Sequence, residues 1–229
     1  MGLDTARIDS VLVDSYSTLV DVESTRAALQ PYTDEATAVA RIWQLRSREY
    51  AIVGNAVGVY RPSTERHRLA LEYALDVHDV TVSEAERADI LASYHDLDVY
   101  DDVRSGLEAI RDRGYEVSVL SNGDPALLES LVETTGLGDV LEHTISADEV
   151  ETYKPAPALY HHAADRVGVD PEALLHVTAS WSDVNGARNA GLQAAWLDRK
   201  HRAWEPYGRD PDVIVGDLHA LVDHLPAAG

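Results

Sequence analysis

The sequence predicts an α/β fold: a parallel sheet covered by helices on both faces, with a purely helical segment inserted after the first strand. Three observations predict it. Residues 98–229 alternate short apolar runs with capped amphipathic segments. Residues 21–97 carry helical periodicity with no convincing strand between the helices. Near the start, the apolar run Val11-Leu12-Val13 ends on a carboxylate, Asp14. The chain accordingly divides into a core, residues 1–20 and 98–229, and a helical insert, residues 21–97, expected to lie over the sheet edge as a cap.

In chain order, "VLVDSYSTLVD" (11–21) reads as a buried strand running into a turn, with a hydroxyl, Thr18, four residues after Asp14. In the insert, "DEATAVARIWQLRSREYAIV", "STERHRLALEYALDV" and "SEAERADILASYHDL" are helical, and Trp43, Tyr50 and Tyr60 read as core residues. "HDLDVYDD" (95–102) is acidic at alternating positions. It lacks the central glycine and closing glutamate of a calcium loop, so it reads as a solvated linker. "SGLEAIRDRG" is a helix closed by Gly114, and "YEVSVLSNG" a buried strand. "DPALLESLVETTG" opens on an N-cap, Asp124, with Pro125 in its first turn, and closes on Gly136. Strand and helix then alternate: "HTISADE", "APALYHHAADRVG", "ALLHVTAS", "SDVNGARNAG", "LQAAWLDR" and "PDVIVGDLHALVDHL". Right-handed crossovers place every carboxyl end of such a Rossmann-like sheet along one edge, where ligands bind.

Composition narrows the function classes. Forty acidic residues face nineteen basic ones, for a net charge of −21. Such a surface repels nucleic acid and anionic membranes. The acidic residues are dispersed, which argues against an acidic tail or a disordered chain. With Lys154 and Lys200 as the only lysines, the pattern predicts adaptation to high salt, where screening removes the self-repulsion. The absence of cysteine excludes disulfides and thiolate chemistry. No apolar run approaches the ~20 residues that span a bilayer, and no basic-apolar leader opens the chain, so the expected location is the cytoplasm.

The topology brings several chemically capable residues to one edge. Asp14 ends the first strand, and Ser121 and Asn122 end the next, in "VLSNG". Lys154 lies in "TYKPAPALY", and Ser180 and Asp183 follow in "VTASWSD". Singly, each has a structural explanation as a turn, a surface lysine or a first-turn helix charge. Together they form a nucleophile, a cation and a second carboxylate in one small volume. The ten histidines show no metal-ligand pattern.

These motifs resemble the haloacid dehalogenase superfamily, and within it the L-2-haloacid dehalogenase branch. The resemblance spans nearly the whole chain. "DSYSTLVDV", "IWQLRSREY", "VLSNGDPALLESLV", "YKPAPALY" and "SDVNGARNAGLQAAWLDR" carry it. It implies that Asp14 is a nucleophile forming an ester with a small 2-substituted carboxylic acid, kept ionised by Lys154. Thr18 and Ser121 would hold the reacting groups, the Ser15 and Tyr16 amides the substrate carboxylate, and Asn122 the leaving halide. Asp183 would position the hydrolytic water, with Tyr160 nearby. It also suggests a homodimer. Superfamily phosphatases carry a carboxylate where this chain has Tyr16 and another where it has Ala179, so no cofactor is expected; Mg²⁺ enters only if the chain is a phosphatase of the same fold. A catalytically inactive binding protein is the remaining alternative. Three positions depart from the branch. Gln44 stands where the halide-receiving arginine is found, Ser180 replaces an asparagine, and Ser17 replaces a glycine. Arg41, Arg46 and Arg48 are near Gln44 in sequence but are expected to point elsewhere on the helix.

Overall fold

The computed structural model describes residues 2–227. In chain order the elements are β1 (Ser10–Val13), β2 (Val20–Asp21), α1 (Arg26–Leu29), α2 (Ala36–Val57), α3 (Ser63–Val77), α4 (Glu84–Ala92), β3 (Asp98–Val99), α5 (Val103–Asp112) and β4 (Glu116–Ser121). They continue with α6 (Pro125–Thr135), β5 (Thr144–Ser146), α7 (Pro157–Val167), β6 (Leu174–Thr178), α8 (Trp181–Asn189), β7 (Gln193–Leu197), β8 (Val213–Val215) and α9 (Leu218–Val222).

The main sheet is parallel throughout and runs β5-β4-β1-β6-β7-β8. Alternation along each strand feeds two apolar layers. Val11 and Val13 of β1 face one layer and Leu12 the other; Leu175 and Val177 of β6 join Val11's layer, while Leu174 joins Leu12's. The strand order reverses at β1, which has β4 on one side and β6 on the other. A crevice forms outside the carboxyl ends at such a switch point, and the residue that leaves β1 there is Asp14.

Local chemistry explains where the helices begin and end. The Asp124 carboxylate accepts from the Leu127 amide at 3.1 Å, Pro125 opens α6, and Gly136 closes it at φ +65°. Ser83 and Glu86 form a reciprocal cap on α4. Gly106 lets α5 lie against α9, because a Cβ there would sit 2.4 Å from the Leu218 Cβ.

The insert is helical, as its periodicity predicts. The buried stripe of α2 is Val39, Ala40, Trp43, Ser47 and Ala51. That of α3 is Ser63, Arg66, His67, Ala70, Leu71, Ala74 and Leu75. Trp43 is fully buried, and its indole N–H donates to the His67 carbonyl at 2.8 Å. Tyr50 and Tyr60 pack half-buried against the core layers.

The solvated-linker reading of residues 95–102 is corrected. Asp98–Val99 pair antiparallel with Val20–Asp21, closing the two ends of the insert into a short ribbon. The Asp102 carboxylate takes the Arg199 guanidinium at 2.7 Å and the Leu218 amide at 2.8 Å. Two-residue strands carry no readable alternation, so pairing between distant segments decides them. Among the described residues no helix is long and apolar enough to cross a membrane.

Candidate active site

The β1 ladder fixes Asp14: its amide donates to the Val177 carbonyl at 2.9 Å. Its carboxylate is held from two sides. Oδ1 accepts from Lys154 Nζ at 2.7 Å. Oδ2 accepts from the Thr18 hydroxyl at 2.7 Å and the Thr178 hydroxyl at 3.2 Å. Those hydroxyls are themselves oriented, Thr18 by the Ala179 amide and Thr178 by the Ser180 amide. Ser17 supplies the turn between Asp14 and Thr18 at φ +67°, the left-handed region that favours glycine.

Lys154 is the centre of the charge network. Besides Asp14, its Nζ donates to Asp183 Oδ2 and to the Leu120 carbonyl, each at 2.8 Å. Three acceptors satisfy its three donors. Burial pulls the ammonium's pKa down, but the charges of Asp14 and Asp183 outweigh burial and leave it raised. The Asn122 side chain positions this lysine, accepting from the Lys154 amide at 2.8 Å and donating to its carbonyl at 3.3 Å.

Asp183, in the first turn of α8, takes three donors. Tyr160 binds Oδ1 at 2.5 Å, and Lys154 and His176 Nε2, at 3.0 Å, bind Oδ2. Burial alone raises its pKa; the charges and hydrogen bonds of His176 and Lys154 overcome that and hold it well below the usual carboxylate range. Burial, reinforced by Asp183, pushes the Tyr160 phenol well up, so Tyr160 stays a donor. Gly186 makes this arrangement possible: a Cβ there would sit 2.3 Å from the Tyr160 hydroxyl and 2.7 Å from Pro155 Cβ.

These groups open into a cavity of about 370 Å³ that also carries Tyr16, Gln44, Asn122, Lys154 and Ser180 on its wall. The Ser15 and Ser121 hydroxyls lie 2.6 Å apart beside it, and Ser121 Oγ also accepts from the Gly123 amide. Among the described residues the Ser15 and Tyr16 amides have no protein acceptor. Gln44 Nε2 donates to the Val22 carbonyl at 2.9 Å, and the Ser180 hydroxyl pairs with that of Ser182 at 3.0 Å. Among the described residues no group of three His, Asp or Glu could hold a metal ion.

The expectation that the cap arginines near Gln44 point elsewhere fails for Arg48. It lies on the cavity wall with Gln44, Ser47 and Ala51, because residues three, four and seven apart share one helix face. Arg46, by contrast, pairs with Glu49 and Tyr73 on an outer face. Sequence reading also missed Arg66, His67, Thr178 and His176. The signal for the first two was present: both fall on the apolar stripe of α3, where a charge or imidazole is buried. His176 alternates with Leu175 and Val177 and so faces the layer that holds Tyr160, whose ring centroid lies 5.7 Å away.

The family profile of the haloacid dehalogenase-like hydrolases matches residues 8–191. The chain is 32% identical to (S)-2-haloacid dehalogenase 2 of Pseudomonas sp. (strain CBS-3), over 95% of this chain and 96% of the relative. It is 31% identical to haloacetate dehalogenase H-2 of Moraxella sp. (strain B), over 96% and 99%. Among solved structures, a crystal structure of a dehalogenase superposes with a TM-score of 0.93 at 27% identity, covering 99% of this chain and all of the other. The L-2-haloacid dehalogenase of Xanthobacter autotrophicus with chloropropionic acid covalently bound superposes at 0.86 and 28% identity, over 94% and 97%. From the Asp14 strand end to the Lys154–Asp183 network, the chain belongs to the haloacid dehalogenase-like hydrolases.

Proposed function

We propose that this protein hydrolyses the carbon–halogen bond of small (S)-2-haloacids through an ester on Asp14, without a metal ion. One observation carries the reading. Asp14 stands at the β1 switch point, tied by Lys154 to a second buried carboxylate, while Tyr16 and Ala179 occupy the positions where superfamily phosphatases carry acids. Relatives along the full length are named 2-haloacid and haloacetate dehalogenases, which supports it.

The geometry supports a definite division of labour. The unpartnered Ser15 and Tyr16 amides receive the substrate carboxylate. Oδ1 of Asp14 has a single donor and keeps a lone pair for attack at C2. The C–O bond forms, the carbon–halogen bond breaks, and the halide departs with its electron pair. Oδ2 becomes the ester carbonyl oxygen. The Thr18 and Thr178 hydroxyls are already aimed at it, and they stabilise the charge that develops there when water attacks the ester carbon. The acyl C–O bond then breaks, the 2-hydroxy acid leaves with one proton of the water, the other passes to solvent, and the Asp14 carboxylate is restored. Asp183 orients that water and Tyr160 orients Asp183. Asn122 sets Lys154; Gln44 and Ser180 shape the substrate volume, Ser121 holds the Ser15 hydroxyl behind it, and the helical insert closes over it as a cap. The acidic surface fits a cytoplasmic enzyme adapted to high salt, acting on a small molecule.

A single turnover in heavy-oxygen water tests this. Label should enter the Asp14 carboxylate first, and Asp14→Asn should release no halide. Label confined to product, with Asp14→Asn fully active, would establish direct attack by water instead. Phosphate-ester hydrolysis that requires Mg²⁺ and vanishes in Asp183→Ala would establish the phosphatase reading.

A further inference from the structure

Displacement at carbon leaves a full negative charge on the halide, and position 44 offers it only a neutral amide already donating to Val22. The cavity nevertheless contains a buried cation with no counter-ion. Arg66, on the inner stripe of α3, lines the same cavity as Asp14 and is 7% exposed. Its Nε donates to the Ser47 hydroxyl at 3.2 Å, and its guanidinium carbon lies 4.1 Å over the Tyr153 ring. Among the described residues it makes no ion pair, and its Nη1 is buried without an acceptor. The Tyr16 hydroxyl, on the wall of that cavity, is buried without a partner as well.

A buried guanidinium is costly unless an anion meets it. Burial works against the Arg66 charge, and the tyrosines around it, Tyr153 first, offset that burial only in part. His67, the next residue, bonds the same Ser47 hydroxyl at 3.0 Å, and burial followed by the Arg66 charge holds it well below the usual imidazole range, so it supplies no competing cation. Two residues of the cavity lining therefore each carry a buried donor with no acceptor. The substrate carboxylate already has the Ser15 and Tyr16 amides. Back-side attack by Asp14 sends the leaving group away from the sheet edge, toward the helices of the insert that carry Arg66.

Resting on the dehalogenase reading above, we propose that Arg66 is the halide acceptor of this enzyme, its Nη1 and the Tyr16 hydroxyl receiving the departing halide in place of an arginine at position 44. The charge has moved from the second helix of the insert to the third. The step needs no further reactant: the halide takes the bonding pair and lies against the guanidinium until it diffuses out. Arg48 also lines the cavity but is exposed; water screens its charge, so it is the weaker acceptor.

The test compares 2-chloropropionate with 2-bromopropionate in the wild type, Arg66→Gln, Arg66→Lys, Arg48→Gln and Arg46→Gln, with bromide titrated against each resting protein. Arg66→Gln should lower kcat for the chloride substrate by about 10²–10³-fold, leave KM within about threefold, and raise the bromo/chloro rate ratio at least about tenfold, because chloride depends more on an acceptor. Bromide affinity should fall at least about tenfold on loss of the charged donor. Arg66→Lys should recover part of kcat and covers the case in which the glutamine variant does not fold. Arg46→Gln, on the outer face, should match the wild type. An Arg66→Gln enzyme with unchanged kcat, or with a raised KM and an unchanged bromo/chloro ratio, overturns the proposal, as does a loss that falls on Arg48→Gln instead. If the wild type releases no halide from either substrate, the dehalogenase reading fails separately. The bromide titration then decides alone whether Arg66 is an anion seat.

Discussion

Replacing Lys154 with methionine removes the one cation that two buried carboxylates share. Its Nζ lies 2.7 Å from Asp14 and 2.8 Å from Asp183, with the lysine, Asp14 and Asp183 side chains only 4%, 10% and 6% exposed. At an effective dielectric of about 20, each contact is an attraction of about 6 kcal/mol before desolvation is subtracted. Measured losses on removing one partner of a buried pair are about 3–5 kcal/mol. Methionine keeps the length and apolar volume of the stem, so the loss reports charge rather than a cavity. The two carboxylates left behind cannot both stay ionised and will share a proton. A protonated Asp14 cannot attack carbon. At 1.36 kcal/mol per decade, halide release at pH 7 should drop at least about 10²-fold. The deficit should shrink as pH rises and the shared proton leaves. The variant should also unfold more readily at pH 7, and less so near pH 5, where protonation relieves the repulsion. Halide release from pH 6 to 10, with denaturant titrations at pH 5 and 7, measures both effects. A variant retaining more than about a tenth of wild-type activity at pH 7, with its acidic limb unmoved, would refute the role given to Lys154.

Ser17→Gly should stabilise the protein by up to about 1 kcal/mol, because an L-residue is strained at φ +67° and glycine is not; a denaturant midpoint that stays level or falls would contradict this. His176→Phe deprives Asp183 of a buried donor and should cost about 1.5–3 kcal/mol at pH 7. Asp183 is held low in the folded state, so its contribution to stability is full above the unfolded carboxylate range and is lost progressively as pH falls from that range toward the depressed folded value. The phenylalanine variant, with a less depressed Asp183, should therefore acid-unfold at higher pH than the wild type, followed by circular dichroism from pH 6 to 2. Finally, the net charge of −21 implies self-repulsion that salt screens, so the melting temperature should rise from low to molar KCl; a flat or falling trend would end the high-salt reading.

The sequence by itself determined what local rules control. Period-2 and period-3.6 patterning, the Asp124 cap, Pro125 and the closing Gly136 fix where strands and helices lie, and their alternation fixes a parallel sheet. Parallel order places the loops that carry Asp14, Ser121, Lys154 and Asp183 on one edge, so the convergence of the candidate site's residues was legible through topology and motif. The tertiary structure decided what depends on contacts between remote segments. Lys154 reaches Asp14 across 140 positions of sequence, and Asp98–Val99 become a strand only because Val20–Asp21 lie beside them. His176 looked like one more residue of an apolar strand until Tyr160 and Asp183 were packed against it. Arg66 shows the same division. Its place on the buried stripe of α3 could be read from spacing, but periodicity names only the face a residue occupies. Whether a carboxylate waits there to pair with it is set by the packing of α3 against the rest of the fold, and among the described residues none does.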